Sequence, residues 1–420
     1  MKVSRLTLIA IVAGMSITAL AQQKISPGPD NAAVQTNERG HPVILPDNLV
    51  REHLAPQSAS SPSGQATTAG LPLFLFGGGT IVGTLPTDPS TTTIQVDVVP
   101  VVLNITQGGV LYSFSPTQGD AGCLPINYTP FSLFAGSPFF ENVPITMNGI
   151  SEGTTQYLDA FQRAELAYVV PNHHTMLLGA GFPPLTISLS VPTAGNSTAK
   201  VFDTQALGFG PQCGNSSGSV NLQNTLAVVK LSTIDSALRS YISARGAQIQ
   251  PSHLVFFLLY NSITANVDAT DFFNINNQKN CCFLGYHDSY TRNVNNPGQT
   301  YAIAEFDGRN QTFFPGVADV SVISHELAEW ANDPSGVNPV PAWGNIGQVS
   351  GCQTNLEVGD PLSGTLAPSI TFGNFTFHFQ ELAFLSWFVG DRPSQGVGGK
   401  YSSNGSFFGY AQPCPPGGTF

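Results

Sequence analysis

Glycine and proline together number 75 of the 420 residues. Punctuation of the backbone at that density predicts a loop-rich, strand-rich chain. Only 10% of the chain is charged, so the surface must rest on Ser, Thr, Asn and Gln, a balance common in exported proteins. The formal net charge is -11, and no cluster of Lys and Arg is present that could follow a phosphate backbone. Nucleic acid is therefore not expected as a partner.

The N-terminus carries its own pattern. MKVSR supplies two cations, LTLIAIVAGMSITALA is apolar, and Ala19-Leu20-Ala21 gives a small-x-small cleavage pattern before Gln22. Residues 1–21 read as a signal peptide, which implies a secreted, periplasmic or extracellular protein. An uncleaved anchor is the alternative, but the apolar run is interrupted by Gly14, Ser16 and Thr18 and a span needs about 20 apolar residues. Leu254–Tyr260 (LVFFLLY) is the most apolar later segment and has strand length, so stable membrane insertion is not expected. Residues 22–70 are rich in Pro, Ser, Gln and Ala and read as a linker or a propeptide. Residues 71–420 then form a single large α+β domain. Six cysteines in an oxidising compartment imply disulfides. Cys281 and Cys282 are adjacent, which favours distant partners for each, and there is no C-x-x-C to suggest a thiolate metal site.

Within that domain, Thr91–Ile105 alternates and is β-branched, hence a strand, with Pro100 marking an edge or a bulge. Gly153–Val170 and Ser232–Gly246 have helical spacing. Asp159 and Arg163 lie four apart and are placed to pair on the surface of the first helix. Ser232 is the expected N-cap of the second. Strands are expected in Ser252–Tyr260, Cys281–Tyr290 and Tyr301–Asp307, then a helix over Val317–Ala331, then a Pro/Gly loop from Asp333 to Gly347. Helices and strands mix without a βαβ rhythm, so the fold class is α+β.

The chemistry concentrates in Val322–Pro334, VISHELAEWANDP. Residues four apart on a helix project about 40° from each other, so His325 and Glu329 can reach one ion. Glu326, beside them, stands where the general base of an H-E-x-x-H metalloprotease stands. Val320, Ile323, Leu327 and Trp330 have the spacing of a core stripe on the opposite face. Glutamate in place of the second histidine keeps zinc possible, since carboxylate is a zinc ligand, and makes Mn2+ or Ca2+ more competitive. A further ligand is needed. Asn355–Asp360 (NLEVGD) offers Glu357 and Asp360, and His287 in GYHD is another nitrogen donor.

SHELAEWANDP, followed by Trp343 and EVGD, resembles the signature of secreted bacterial and fungal zincin-like proteins loosely related to the phosphate-induced (Exordium-like) proteins. That resemblance covers residues 320–362 and implies a zincin-like mixed sheet with an active-site helix. It implies His325, Glu329 and Asp360 as metal ligands, Glu326 as catalytic base, Zn2+ as cofactor and a peptide or protein as substrate. The chain departs from true metzincins: H-E-x-x-H is absent, Asn332 takes the glycine position and Ser335 replaces the third ligand.

Two function classes follow. One is a metal-dependent hydrolase, specifically a peptidase. The other is a non-enzymatic secreted binding protein, for a cell-wall glycan or surface partner, with a structural ion or none; the eleven Tyr and three Trp form no visible sugar platform. Lesser candidates are the His173-His174 pair, read as a surface loop, and His378, Tyr286 and Tyr290 as distant stabilisers of developing charge. His253 reads as structural. Asp97 lacks the D-[ST]-G of an aspartic dyad.

Overall fold

A computed structural model describes residues 70–414 apart from 77–78, 85–89, 121–122, 167–173, 180, 194–196, 204–224, 247, 266–280 and 309–315. The signal and linker regions, His173 and Cys213 lie outside the described residues.

The molecule is organised by a seven-stranded mixed sheet: β1 (Thr92–Gln107), β2 (Val110–Phe114), β3 (His174–Leu178), β4 (Leu185–Ser190), β5 (His253–Tyr260), β6 (Gly285–Ser289) and β7 (Thr300–Phe306). The long β1 pairs in parallel with β5, β3 and β4 and antiparallel with β2. On its other edge β5 pairs in parallel with β7, which pairs antiparallel with β6. β5 is flanked on both edges and buried on both faces, which is why HLVFFLLY is continuously apolar rather than alternating. The chain is mixed α and β with more strand than helix, and the parallel pairing is more extensive than the absence of a βαβ rhythm suggested.

Successive residues of β5 point into two different cores. Leu254, Phe256 and Leu258 join the core that contains Ile323, Leu327 and Trp330. Val255, Phe257 and Leu259 join the core that contains Leu231, Ile234, Leu238 and Tyr241. A helix therefore lies on each face: α1 (Tyr157–Leu166) and α3 (Ser321–Asn332) against the first core, α2 (Leu231–Ala244) against the second.

Several local expectations are corrected. Pro100 is in the central strand, not at an edge: β3 pairs residues 92–96 of β1 and β4 pairs 101–106, so Pro100 sits where the partners change over. Gly153–Thr155 belong to a hairpin rather than to α1, with Gly153 at φ +84° at a register shift. Asp159 and Arg163 do pair, at 2.8 Å, but inside the protein. Lys230, not Ser232, occupies the N-cap position of α2. α3 begins at Ser321 rather than Val317, because Asp319 bridges backbone to backbone with Asp307 and turns the chain at φ +28°. The Pro/Gly stretch after α3 contains a hairpin, Pro339–Ile346 with Val349–Asn355. A two-stranded hairpin tolerates proline because each strand has an unpaired edge. Cys352 of that hairpin is bonded to Cys414. Among the described residues no helix is long and apolar enough to cross a membrane.

Candidate metal centre

α3 packs on β6 and β7, with Val320, Ile323, Leu327 and Trp330 in the core as the stripe predicted. Trp330 Nε1 donates to Thr300 Oγ1 of β7 at 3.0 Å. The other side of the helix does not face solvent. It is covered by Gly359–Asp360 and by Gln380, whose backbone N–H donates to Ser324 Oγ. His325 is 4% exposed, Glu326 3% and Glu329 and Asp360 0%. The polar face of the helix is thus buried as fully as the apolar stripe opposite it.

The structure brings His325, Glu329 and Asp360 together. His325 Nε2 lies 3.1 Å from Glu329 Oε2 and 3.6 Å from Asp360 Oδ1. Asp360 reaches the helix because Gly359 and Asp360 both donate their backbone N–H to Glu329 Oε1, at 3.0 and 3.2 Å. A Cβ at Gly359 would stand 2.5 Å from the His325 ring, so only glycine lets the turn approach this closely. A second group shares Glu329: His287 Nδ1 on β6 lies 3.8 Å from Glu326 Oε2 and 3.9 Å from Glu329 Oε2. Each of the two triads, His325–Glu329–Asp360 and His287–Glu326–Glu329, has its ligand atoms within 4.8 Å of one another, as a metal ion would require.

Hydrogen bonds on the far side of each imidazole decide which nitrogen faces the carboxylates. His287 Nε2 lies 2.9 Å from the Asp333 carbonyl. A carbonyl only accepts, so Nε2 carries hydrogen and Nδ1 of the neutral ring turns its lone pair toward Glu326 and Glu329. For His325, Gln380 sets the answer. Its Nε2 donates to the Gly359 carbonyl at 2.7 Å, which leaves Oε1 facing His325 Nδ1 at 3.0 Å. Nδ1 therefore donates, and in the neutral ring Nε2 turns its lone pair toward Glu329 and Asp360. Orientation of a ligand histidine by an acceptor behind it is the usual arrangement around protein-bound metals. Gln348 and Gln353 similarly donate to the two oxygens of Asp360.

One oxygen is conspicuous. Glu329 Oε2 is fully buried and accepts no hydrogen bond, with His325 Nε2 near but not aligned to donate. Burial works to neutralise His325, yet Glu329 and Asp360 outweigh it and hold the ring well above the ordinary imidazole value. Burial, and then Glu329, push the Asp360 carboxyl up to about 7. Both shifts mean that the group retains a proton to limit its negative charge. A divalent cation would take the place of that proton, so the buried His, Glu and Asp side chains fit a metal ion.

Other candidates lie elsewhere. Tyr286 and Tyr290 face the opposite core, where Tyr286 donates to Asp235 and Tyr290 packs edge-on against Tyr301, so neither can act at α3. His378 bonds Asp319 just ahead of α3. His253 and Asp97 pair at 2.8 Å, which gives Asp97 a structural partner. His174 is buried at the start of β3, a correction to the surface reading. Glu357 accepts from Asn355 and belongs to neither triad. The supporting residues Gln348, Gln353, Gln380 and Asp333 were missed, since they come from separate segments and form no motif.

No protein-family model, curated protein or solved structure matches the chain.

Proposed function

We propose that the protein is an exported, metal-dependent hydrolase of zincin-like architecture that cleaves peptides or proteins. His325, Glu329 and Asp360 hold the ion, and Glu326, the next residue on α3, takes a proton from water. When bound, such an ion acts as a Lewis acid and makes water a nucleophile near neutral pH. The observation that carries this reading is the buried gathering of His325, Glu329 and Asp360, whose ligand atoms lie within 4.8 Å of one another. Mixed nitrogen and oxygen donors favour Zn2+, with Mn2+ next, over an all-oxygen ion such as Ca2+. α3 laid across β6 and β7 supports the zincin-like architecture, and the pattern of residues 1–21 supports export.

Burial favours a second reading. Because the donors are 0–4% exposed, a secreted binding protein with a purely structural ion fits the same geometry. Glu326→Gln separates the two. In a hydrolase it abolishes cleavage of a denatured protein substrate while the ion at His325 stays. If the metal-loaded native protein cleaves nothing in a peptide library, the structural reading replaces the enzymatic one.

A further inference from the structure

We infer that the centre is built for two divalent cations, the second held by His287, Glu326 and Glu329, with Glu329 shared between them. This rests on the reading of α3 as a metal-binding helix, departs from the single-ion site that an H-E-x-x-E motif implies, and makes Glu326 a ligand in place of the free base of that scheme.

Donor spacing is the first ground. His287 Nδ1 stands 3.8 and 3.9 Å from its two carboxylate oxygens, well beyond the roughly 2.7–3.2 Å of an N–H···O hydrogen bond. Two donors that each lie about 2.0–2.2 Å from one ion are instead about 3–4 Å apart, depending on the angle between them. The separations in the second triad are those of donors sharing an ion. The five donor atoms do not form one set within 4.8 Å but two sets that overlap at Glu329. One ion cannot use them all.

The oxygen that both triads share, Glu329 Oε2, is the second ground. It is fully buried and accepts no hydrogen bond, while Oε1 is occupied by two backbone N–H groups. A carboxylate held in this way has one oxygen committed to the protein and one left for cations. Glycine supplies a third ground. A Cβ at Gly285 would come within 2.5 Å of Glu326 Oε1, so a bare position on β6 lets Glu326 lie against the strand that carries His287. Charge points the same way. Three carboxylates against one divalent ion leave a net negative charge in a buried site, whereas two ions leave one positive charge for an anionic ligand. Paired ions about 3.5–4 Å apart are a recognised hydrolytic arrangement.

The test is titration of metal-free full-length protein with Mn2+, followed by electron paramagnetic resonance. Two bound ions per chain with the spectrum of an exchange-coupled pair are expected. His287→Ala and Glu326→Gln should each fall from two ions to one, with the coupling lost. His287→Gln repeats the test with the side-chain volume largely kept, and the wild-type spectrum requires no variant at all. One uncoupled ion in the wild type, unchanged by His287→Ala, overturns the inference and leaves the single-ion site standing. Two uncoupled ions that survive His287→Ala also overturn it. No bound ion overturns both readings.

Discussion

His287 and Asp288 are neighbours on β6, yet they point into two acidic clusters on opposite faces of the sheet, and the clusters are neutralised differently. On the α2 face, Asp235 accepts from Tyr286 and Tyr301 with one oxygen and from Arg239 with the other. Asp288 accepts from Ser289 N–H and Arg292 with one oxygen and from Arg239 and Arg292 with the other. Every acidic oxygen there meets a donor, and two guanidinium groups supply the positive charge. On the α3 face, Glu329 and Asp360 pair only with imidazoles among the described residues. An uncompensated buried carboxylate costs several kcal/mol. A chain that balances its acids so fully on one face leaves them short of cations on the other, which is the expected state of a site that takes its positive charge from solution.

The comparison breaks most visibly on metal removal. Chelator-treated protein should melt well below zinc-loaded protein, by an amount equivalent to ~4 kcal/mol when zinc stands a thousandfold above its Kd. Calorimetric scans that coincide with and without zinc would erase the distinction between the faces. The next largest effect belongs to the self-neutralised face. Arg239→Met should destabilise by ~3 kcal/mol in denaturant melts, toward the lower end for breaking a buried pair because Arg239 is partly exposed. Metal content should not change. Gly359→Ala sharpens the account of the other face: its Cβ would strike the His325 ring. Overpacking of this kind costs ~1–3 kcal/mol, and disturbance of the supporting shell should weaken zinc binding about tenfold or more by calorimetric titration.

The last effect is read per pH unit and concerns Glu165 on α1, behind the centre. Glu165 is fully buried, and burial pushes its carboxyl up to about 8 despite a backbone bond from Leu385. Hydrogen bonds from the Leu385 N–H and the Asn332 side chain oppose that shift without cancelling it, so Glu165 holds a proton at neutral pH. The folded state keeps that proton after the unfolded chain has lost it. Stability from this group is full below about 4.3, the ordinary glutamate value, and declines as pH rises toward the folded value near 8. The slope is at most ~1.4 kcal/mol per pH unit. Glu165→Gln should flatten the fall in stability across that window, and an unchanged slope in urea melts at several pH values would contradict the assignment.

The legible part of this fold was the local part. β5 announced itself as an unbroken apolar run, and α3 by a stripe at helical spacing. His325, Glu329 and the downstream Asp360 were nameable because two lie a turn apart and the third sits in a short turn motif. What stayed hidden depends on contacts far apart in the chain. Nothing near α3 signals that Gln380 orients His325, and His287, nameable as a nitrogen donor, is joined to Glu326 and Glu329 only through sheet register. Nor does the helix reveal its full burial. Polar residues on one face normally mean solvent, and here that face is closed by the turn at Gly359, which a side chain would have kept away. Pro100 in a central strand was similarly unreadable, since its tolerance depends on where β3 and β4 hand over.

The central claim is that the acids of α3 are neutralised by a cation from outside the chain. Elemental analysis of protein purified in metal-free buffers after exposure to zinc, beside Glu329→Ala, tests it most directly. The account predicts at least one tightly held divalent transition ion per chain in the native protein and none in the variant. A folded native protein that retains no metal after zinc is offered would contradict it.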